Sequence, residues 1–447
     1  MPRVHLITYG CQMNEYDSER VAGLLEQHDY CLTDTPEDAD LILLNTCAIR
    51  EKAEEKVFSR LGALKTLKRL RPEVLIGVMG CMAQLAPRRI QERAPHVDLV
   101  FGSPAIARVA ELVERARRGP VVETGEAPLL KLTARPARRD TLRAFVTVME
   151  GCEKFCTFCV VPRTRGRERS HSPDVVVAEI RDLAAHGCRE VTLLGQTVNA
   201  YGRDLTPPTD LADLLERVDA IPGIERVRFT TSNPYNLTPR LIHALRDVPK
   251  VVEHLHLPVQ SGSDRVLARM NRGYTRARYL DLIAALREAV PEIALSTDLI
   301  VGFPGETDDD FEETVEVVER VAYDNVFAFR YSARPGTPAA AMPEQVADEV
   351  KARRNARILE VAGRVAAERS RRLEGRVLPV LVDGTSRRNA REATGRTRCN
   401  RVVNFDPQGR DLHGEVVPVR IAEALPHSLR GQLAAVAGAP GEARTSA

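Results

Sequence analysis

The eight-residue segment Cys152-Glu-Lys-Phe-Cys156-Thr-Phe-Cys159 contains three cysteines. They are spaced C-x3-C-x2-C and follow the apolar run 144–149, a pattern typical of a β-strand that enters a loop. Thiols so close in sequence can bind one metal centre. A structural zinc site usually takes four protein ligands, and the surrounding sequence offers no second cysteine pair. A four-iron cube held by three thiolates fits better, and it leaves one iron able to hold a small chelating molecule.

Three further cysteines, Cys11, Cys47 and Cys81, each end a short apolar run, and a helical pattern follows each run. Alternating strands and helices predict a parallel sheet covered on both faces, in which the carboxyl ends of the strands meet at one edge. Gly10 and Gly80 would allow the close backbone approach that a bulky cluster needs. The predicted runs and helices are 3–11 with 17–26, 40–47 with 50–64, and 74–81 with 87–94.

We infer that these three thiols hold a second four-iron cube, which again keeps one iron without a protein ligand. The alternative is three separately buried core thiols. The other cysteines, Cys31, Cys188 and Cys399, stand alone and are predicted to be structural.

The spacing of the first group resembles the signature of the radical S-adenosylmethionine superfamily. That resemblance implies that the amino and carboxylate groups of S-adenosylmethionine bind the open iron. Cys152, Cys156 and Cys159 would then be both metal ligands and the residues on which catalysis depends.

The central part of the chain alternates six predicted strands with amphipathic helices. Such (β/α)6 repeats curl into an open, partial TIM barrel with its active face at the carboxyl ends of the strands. Loops rich in glycine and polar residues follow each strand. The strands are 144–149, 190–194, 226–230, 254–259, 294–301 and 325–331, and helices are predicted at 173–185, 211–218, 276–289 and 308–321, with one or two more within 343–374.

Two of these loops could contact S-adenosylmethionine. Gly302 and Gly305 would let the backbone approach the adenosine, while Gln260 and Ser261 offer polar contacts to the ribose or the methionine portion. A purely structural role in turns or helix caps is the alternative for each of them.

Short alternating runs after residue 375 predict a small antiparallel β-barrel. The segment from Ser386 to Arg401 contains six arginines and only one acidic residue. This barrel could therefore bind along a phosphate backbone, with Arg396 and Arg398 among the contacts. The basic run 163–169 suits phosphate contacts or a solvated surface. A third basic segment, 131–143, is predicted to be a linker.

The 447 residues suffice for about three domains, and 43% hydrophobic and 28% charged residues are typical of a soluble protein. Nine cysteines so unevenly placed exclude a disulfide scaffold and indicate a reducing compartment. No signal peptide and no apolar run of about 18 residues is evident. The protein is therefore predicted to be cytoplasmic.

Almost the whole chain resembles the methylthiotransferase family of radical S-adenosylmethionine enzymes, an α/β family. The resemblance implies an amino-terminal domain (1–118) with an auxiliary [4Fe-4S] cluster on Cys11, Cys47 and Cys81. It further implies a radical domain (138–372) and a carboxyl-terminal TRAM domain (373–435) that binds RNA. The matching segments are 8–19, 45–52, 149–164, 256–264, 300–307 and 400–405.

The segment Gly-Cys-Gln-Met-Asn-Glu-Tyr-Asp-Ser resembles the branch that adds a methylthio group to C2 of N6-isopentenyladenosine at position 37 of tRNA, next to the anticodon. The implied partners are a tRNA anticodon stem-loop, a flavodoxin- or ferredoxin-type electron donor and a sulfur source. A monomer without membrane contact is expected.

Three alternatives stay open at this stage. Sibling methylthiotransferases act on threonylcarbamoyladenosine in tRNA or on an aspartate of a ribosomal protein, and both share the clusters. A non-catalytic, RNA-binding iron–sulfur protein is the third.

Overall fold

The computed structural model of the chain describes residues 1–48, 51–125, 136–138 and 140–434. Residues 131–135 and 139 of the predicted linker 131–143 and the first residue of the predicted helix 50–64 lie outside these residues. The chain forms two compact units. Unit 1 comprises Met1–Asn236, Arg269–Arg272 and Ser332–Pro343, and unit 2 comprises Leu237–Ala268, Gly273–Tyr331 and Glu344–Ala447. The two units are defined by compactness and do not test the predicted division into three domains, which stays a prediction.

Unit 1 begins with a parallel sheet that has helices on both faces. Its elements are β1 (Arg3–Tyr9), α1 (Gln12–Glu26), β2 (Cys31–Leu32), β3 (Leu41–Thr46), α2 (Glu51–Leu70), β4 (Leu75–Gly80), α3 (Cys81–Leu85), α4 (Pro87–Arg93), β5 (Leu99–Phe101), α5 (Val109–Ala116) and β6 (Val121–Glu123). The strand order is β2-β1-β3-β4-β5-β6. Every pairing in it is parallel.

Strand β3 shows why both faces of this sheet are covered. Leu41 and Leu43 pack into the core that α1 and α5 share, whereas Ile42 and Leu44 pack into the core formed with α2 and α4. All four side chains are fully buried. Successive side chains of a strand point to opposite faces, so the continuous apolar run buries both. The predicted doubly covered parallel sheet is confirmed.

A second sheet of unit 1 lies in the region that contains Cys152, Cys156 and Cys159. Its region contains β7 (Arg143–Thr147), β8 (Met149–Glu150), α6 (Val161–Thr164), β9 (Arg169–Ser170), α7 (Pro173–Ala185), β10 (Glu190–Leu194), α8 (Leu211–Asp219) and β11 (Arg226–Phe229). Strands β11, β10 and β7 form a parallel sheet in that order. The predicted strand 144–149 does not continue through Val148, because Met149 and Glu150 pair with β9 in antiparallel fashion.

Unit 2 contains the other three strands of the predicted barrel. Its first elements are α9 (Pro239–Asp247), β12 (His254–His256), α10 (Asp264–Arg269), α11 (Arg276–Ala289), β13 (Ala294–Val301), α12 (Asp308–Val321), β14 (Asn325–Arg330) and α13 (Asp348–Arg371). Strands β12, β13 and β14 are parallel. Strand β12 ends before the predicted residue 259, since Pro258 has no N–H to donate. The N–H of Val259 donates to Oγ1 of Thr297 instead, at 2.9 Å.

Unit 2 ends in a closed barrel of five strands in the order β15-β16-β17-β19-β18. These are β15 (Val377–Thr385), β16 (Ala393–Thr397), β17 (Val402–Asp406), β18 (Val416–Ala424) and β19 (Leu429–Leu433). The barrel was predicted as antiparallel, but β17 and β19 pair in parallel. Strand β19 was not predicted, because its apolar residues are few. None of the described helices is long and apolar enough to cross a lipid bilayer.

Asp324, just before β14, connects the five-stranded barrel with the rest of unit 2. Its carboxylate accepts hydrogen bonds from Arg401 beside β17 at 2.7 Å and from Arg369 of α13 at 3.1 Å. It also accepts the backbone N–H of Leu295 at 2.9 Å. All three charged side chains are less than one-fifth exposed. Two nearby arginines therefore depend on one largely buried carboxylate.

We expect Asp324→Ala to lower the free energy of unfolding by about 2 to 3 kcal/mol, because it leaves two largely buried cations unpaired. Chemical denaturation measures the change. Asp281→Ala removes a carboxylate from the exposed side of α11 and should change stability by less than about 0.5 kcal/mol. Equal effects of the two substitutions would contradict the role of Asp324.

Candidate metal centre

The segment 152–159, called the cysteine loop below, lies between β8 and α6. Its entry is sterically restricted: Gly151 has φ +79°, and a Cβ atom there would lie 1.9 Å from the carbonyl oxygen of Arg167. The N–H of Cys152 donates to the carbonyl oxygen of Gly166 at 3.2 Å. The loop is thus closed tightly against the segment that follows it, and only glycine fits at its start.

Each sulfur of the cysteine loop has a separate hydrogen-bonding partner. Sγ of Cys152 lies 3.2 Å from Oγ1 of Thr197, and Sγ of Cys156 accepts from the guanidinium of Arg272 at 3.2 Å. The backbone N–H of Val161 points to Sγ of Cys159 at 3.5 Å. Donors directed at sulfur are the arrangement by which proteins support iron–sulfur clusters. The donor set and its surroundings fit a cluster.

Burial disfavours the thiolate forms of Cys159 and Cys152. Together with the smaller effects of the neighbouring Cys156 and Cys152, burial raises the pKa of Cys159 to about 12. The pKa of Cys152 is raised by burial as well, and Thr197 opposes the shift. Since thiolates bind metal and thiols do not, such buried sulfurs lose their protons when a metal compensates the charge.

No three His, Cys, Asp or Glu side chains among the described residues are placed to hold one metal ion. A four-iron cube asks for a different geometry, because each thiolate binds a different iron and the sulfurs stay farther apart than the ligands of a single ion. Cys156 raises the pKa of Cys152, and Cys156 and Cys152 raise the pKa of Cys159, so these sulfurs lie within electrostatic reach of one another.

Loops from the neighbouring strands support the cysteine loop. The side-chain oxygen of Gln196, after β10, accepts the N–H of Gly151. Asn199 in turn exchanges two hydrogen bonds of 2.9 Å with the backbone of Asn233, after β11. As predicted, the polar loops after these strands meet at one edge of the sheet.

Cys11, Cys47 and Cys81, called the sheet-edge cysteines below, follow three adjacent strands. Tyr9 of β1 pairs with Thr46 of β3, which pairs with Gly80 of β4, so each cysteine lies one or two residues past an aligned row. Burial raises the pKa of the Cys11 thiol; Arg165 lowers it and Cys81 raises it. The expected meeting of these strand ends is confirmed.

Two asparagines occupy the space that Gly10 and Gly80 leave. Asn14 Nδ2 donates to Oδ1 of Asn45 at 3.0 Å, and Asn45 donates back to the carbonyl of Asn14 at 2.8 Å. A Cβ at Gly10 would lie 2.2 Å from Oδ1 of Asn14, and one at Gly80 would lie 2.5 Å from Oδ1 of Asn45. The glycines therefore admit these amides, which join the first turn of α1 to the end of β3.

The basic run 163–169 is not a uniform surface. Arg165 is buried and forms a two-pronged ion pair with Asp17 of α1, with distances of 2.5 and 3.4 Å. Arg165 also lies within electrostatic reach of Cys81. The interpretation of the whole run as phosphate contacts or solvated surface is wrong for Arg165, whose buried cation connects the segment after the cysteine loop to the helix after Cys11.

Gln260 and Ser261 lie in the loop after β12. Gln260 has φ +72° and exchanges backbone hydrogen bonds with Asp298 and Ile300 at 2.9 Å. Ser261 is fully buried, and its hydroxyl lies 3.3 Å from Oγ1 of Thr314 while accepting the N–H of Ser263. Both residues thus shape the loop itself.

Gly302 and Gly305 lie in the loop after β13, with φ of +70° and +79°. A Cβ at Gly302 would lie 2.3 Å from Cγ of Lys351. The N–H of Gly302 donates to Glu306 at 2.6 Å, and Glu306 is held by Arg354 at 2.7 Å. Burial raises the pKa of Glu306 to about 7, against the opposing effects of Gly302 and Arg354. This loop is therefore rigidly held from within unit 2.

Sequence patterns missed Arg272 and the Asp17–Arg165 pair. Arg272 contacts a cysteine 116 residues away in the chain. Nothing in its neighbours distinguishes it from a surface arginine. The only available signal was the cluster of arginines after the cysteine loop, which does not show which one is buried.

We expect Gly151→Ala to disrupt the cysteine loop, because the new methyl group meets backbone atoms and the residue needs a positive φ. The free energy of unfolding should fall by about 2 to 4 kcal/mol. Anaerobically reconstituted protein should lose most of its bound iron. Denaturation and iron analysis measure both effects.

Gly166→Ala is the matched control. Gly166 has φ +75°, and nothing lies within 4 Å of an added Cβ, so the cost should be about 1 kcal/mol and iron should be retained. Equal loss of iron in both variants would show that the close contact at Gly151 is not what shapes the loop.

Three family models match successive parts of the chain. The Radical SAM superfamily matches residues 146–318, the uncharacterized protein family UPF0004 matches residues 3–102, and the TRAM domain matches residues 371–434. The Radical SAM match implies a [4Fe-4S] cluster and S-adenosylmethionine.

Solved structures share the fold. A radical S-adenosylmethionine methyltransferase, TsrM, from Kitasatospora setae aligns with a TM-score of 0.58 at 14% identity, covering 76% of this chain and 75% of that chain. The cobalamin-dependent S-adenosylmethionine radical enzyme OxsB aligns with a TM-score of 0.54 at 14% identity, covering 76% of this chain and 55% of that chain. The predicted radical S-adenosylmethionine fold is confirmed.

Curated relatives are similar over almost their whole length. The tRNA-2-methylthio-N(6)-dimethylallyladenosine synthase of Methylococcus capsulatus is 52% identical over 97% of this chain and 96% of that protein. The synthase of the same name from Hahella chejuensis is 50% identical over 96% of this chain and 98% of that protein. At this identity over almost the whole of both chains, and with the Radical SAM and TRAM matches, the chain belongs to the tRNA-2-methylthio-N(6)-dimethylallyladenosine synthase family of radical S-adenosylmethionine enzymes.

Proposed function

We propose that this chain is a tRNA methylthiotransferase that attaches a methylthio group to C2 of N6-isopentenyladenosine next to the anticodon. The observation that carries the proposal is the near full-length identity to two proteins named as synthases of the methylthiolated, dimethylallylated adenosine. This relationship favours isopentenyladenosine over the threonylcarbamoyladenosine and ribosomal-protein substrates of sibling enzymes.

We assign one [4Fe-4S] cluster to the cysteine loop and a second, auxiliary cluster to the sheet-edge cysteines. The hydrogen-bonding partner at each sulfur of the cysteine loop supports the first assignment. The aligned ends of β1, β3 and β4 support the second. Three thiolates on each cluster leave one iron open in each, which suits one cluster to S-adenosylmethionine and the other to sulfur.

The substrate explains why radical chemistry is needed. The C2–H bond of adenine is not acidic enough for a side-chain base and carries no leaving group, so general acid–base catalysis cannot activate it. Clusters held by the cysteine loop and by the sheet-edge cysteines, together with S-adenosylmethionine, would supply the one-electron chemistry and the sulfur that this substitution needs. The protein orients Sγ of Cys152 and Cys156 through Thr197 and Arg272, respectively. It also keeps both cysteines largely buried from water.

We further propose that S-adenosylmethionine lies against the loops after β12 and β13. Gln260, Gly302 and Gly305 would supply backbone surface there, since their positive φ turns the chain sharply. Ser261 would contribute by fixing its loop through Thr314.

The remaining partners follow from the same chemistry. Reduction of the cluster calls for a flavodoxin- or ferredoxin-type electron donor, and each turnover consumes sulfur that a sulfur source must replace. The substrate base lies in a single-stranded loop of the anticodon stem-loop, where it can be splayed out without opening a duplex. A monomer in the cytoplasm stays our prediction.

The five-stranded barrel offers the RNA an exposed set of cations. Arg387, Arg388 and Arg391 are exposed between β15 and β16 and make no ion pair with described residues. Arg398, by contrast, forms a forked ion pair with Glu253 at 2.7 to 3.1 Å and donates to two carbonyl oxygens. We therefore propose the three exposed arginines, and not Arg398, as the phosphate contacts.

We expect Cys156→Ala to abolish release of 5′-deoxyadenosine by the reduced, anaerobically reconstituted enzyme, because the radical cluster loses a ligand. Cys47→Ala should retain this cleavage but stop sulfur insertion into tRNA. Cys31→Ala, at a lone cysteine, should retain both. Mass spectrometry of 5′-deoxyadenosine and of tRNA nucleosides measures the outcomes.

Equal loss of cleavage in the Cys156 and Cys47 variants would contradict the division between the two clusters. The substrate is tested separately in a deletion strain, whose tRNA should lack methylthio-isopentenyladenosine. An unchanged level of that nucleoside would rule out the proposed function, and loss of methylthio-threonylcarbamoyladenosine in its place would identify a sibling activity.

Replacing Arg387, Arg388 and Arg391 together by alanine should weaken tRNA binding about tenfold and reduce the slope of log K against log salt by about 2 to 3. Arg398→Ala is the control: it should lower thermal stability through loss of the Glu253 pair and leave the salt slope unchanged. Binding titrations at several salt concentrations measure this. A slope altered only by Arg398→Ala would reverse the assignment.

A further inference from the structure

We propose that Arg272 is a positioning residue for the cluster of the cysteine loop, holding Sγ of Cys156 and making that cluster easier to reduce. The inference rests on the proposed function, in which the cysteine loop binds the cluster that receives the electron. It adds a residue outside the cysteine motif to the machinery of electron transfer.

The segment Arg269–Arg272 belongs to unit 1 and grips the cysteine loop. Three of its contacts are neutral hydrogen bonds. The backbone N–H and the hydroxyl of Thr157 donate to the carbonyl oxygens of Met270 at 3.1 Å and Arg269 at 2.9 Å. Nδ2 of Asn271 donates to the carbonyl oxygen of Phe155 at 3.1 Å. These contacts fix the loop backbone on both sides of Cys156.

The fourth contact differs in kind. Nη1 of Arg272 lies 3.2 Å from Sγ of Cys156, and Arg272 is only 8% exposed. A cation that donates to a thiolate forms a charge-assisted hydrogen bond, and little water is present to screen it.

A buried cation beside a cluster changes its reduction potential. The reduced cluster carries one more negative charge than the oxidised one, so Arg272 stabilises the reduced form more. Hydrogen bonds to the sulfurs act in the same direction, and both are known determinants of cluster potentials. Arginine suits this role because it stays protonated and presents a fixed fork, whereas a buried lysine can lose its proton.

The test uses the full chain with the sheet-edge cysteines replaced by alanine, so that only the cluster of the cysteine loop is observed. Arg272→Met, Arg272→Lys and the charge-matched control Arg269→Met are added to this background. Iron and sulfide analysis and a redox titration followed by electron paramagnetic resonance are carried out on each protein. The guanidinium of Arg269 contacts Sδ of Met342 at 4.0 Å.

With Arg272→Met, the ratio of reduced to oxidised cluster at a fixed potential should fall about tenfold, equivalent to about 59 mV for one electron. Arg272→Lys should fall between that value and the background, and Arg269→Met should match the background. A midpoint unchanged in Arg272→Met at full iron content would overturn the inference alone.

If Arg272→Met retains no iron, Arg272→Lys decides: a midpoint equal to that of the background would overturn the inference, and a more negative one would support it. A background protein that binds no iron at all would instead overturn the assignment of the cysteine loop, and the inference with it.

Discussion

Several cysteine sulfurs buried close together impose the constraint on which the site depends. Burial and the neighbouring sulfurs of Cys156 and Cys152 disfavour the thiolate of Cys159, whose pKa is raised to about 12. Such anions are stable only where positive charge and hydrogen-bond donors surround them. The protein supplies a hydroxyl, a guanidinium and a backbone N–H, one for each sulfur. The iron of the proposed cluster would supply the remaining positive charge.

Parallel sheets provide the geometry that this constraint requires. Their strand ends meet at one edge, so loops distant in sequence become neighbours. Register aligns β1, β3 and β4 so that the sheet-edge cysteines follow one row. Within the same compact unit, the ion pair of Asp17 with Arg165 joins the helix after Cys11 to the segment after the cysteine loop.

Arginine serves two opposite purposes in this chain. Arg165, Arg398 and Arg401 are paired with carboxylates and act as internal connections. Arg387 and Arg388 are exposed without a carboxylate partner among the described residues, which leaves them available to phosphate. Net charge cannot distinguish these uses, because it counts a paired cation and an exposed one alike.

The sequence by itself determined the chemistry and the fold class. Cysteine spacing, apolar runs ending in cysteine and the βα alternation are local patterns, and they placed β10, β13, α7, α11 and α12 at their observed bounds. Strand β19 and its parallel pairing with β17 were not predicted, because pairing partners are set by closure of the barrel and not by local propensity.

Only the tertiary structure decided which charged residues belong to the metal centre. Arg272 reaches Cys156 across 116 residues, and Asp17 reaches Arg165 across 148. Burial and ion pairing arise when distant segments pack. The local sequence around an arginine therefore does not show whether its side chain contacts a sulfur, a carboxylate or water. The sequence identified the sulfur atoms that we propose as iron ligands, and folding determined which side chains surround them.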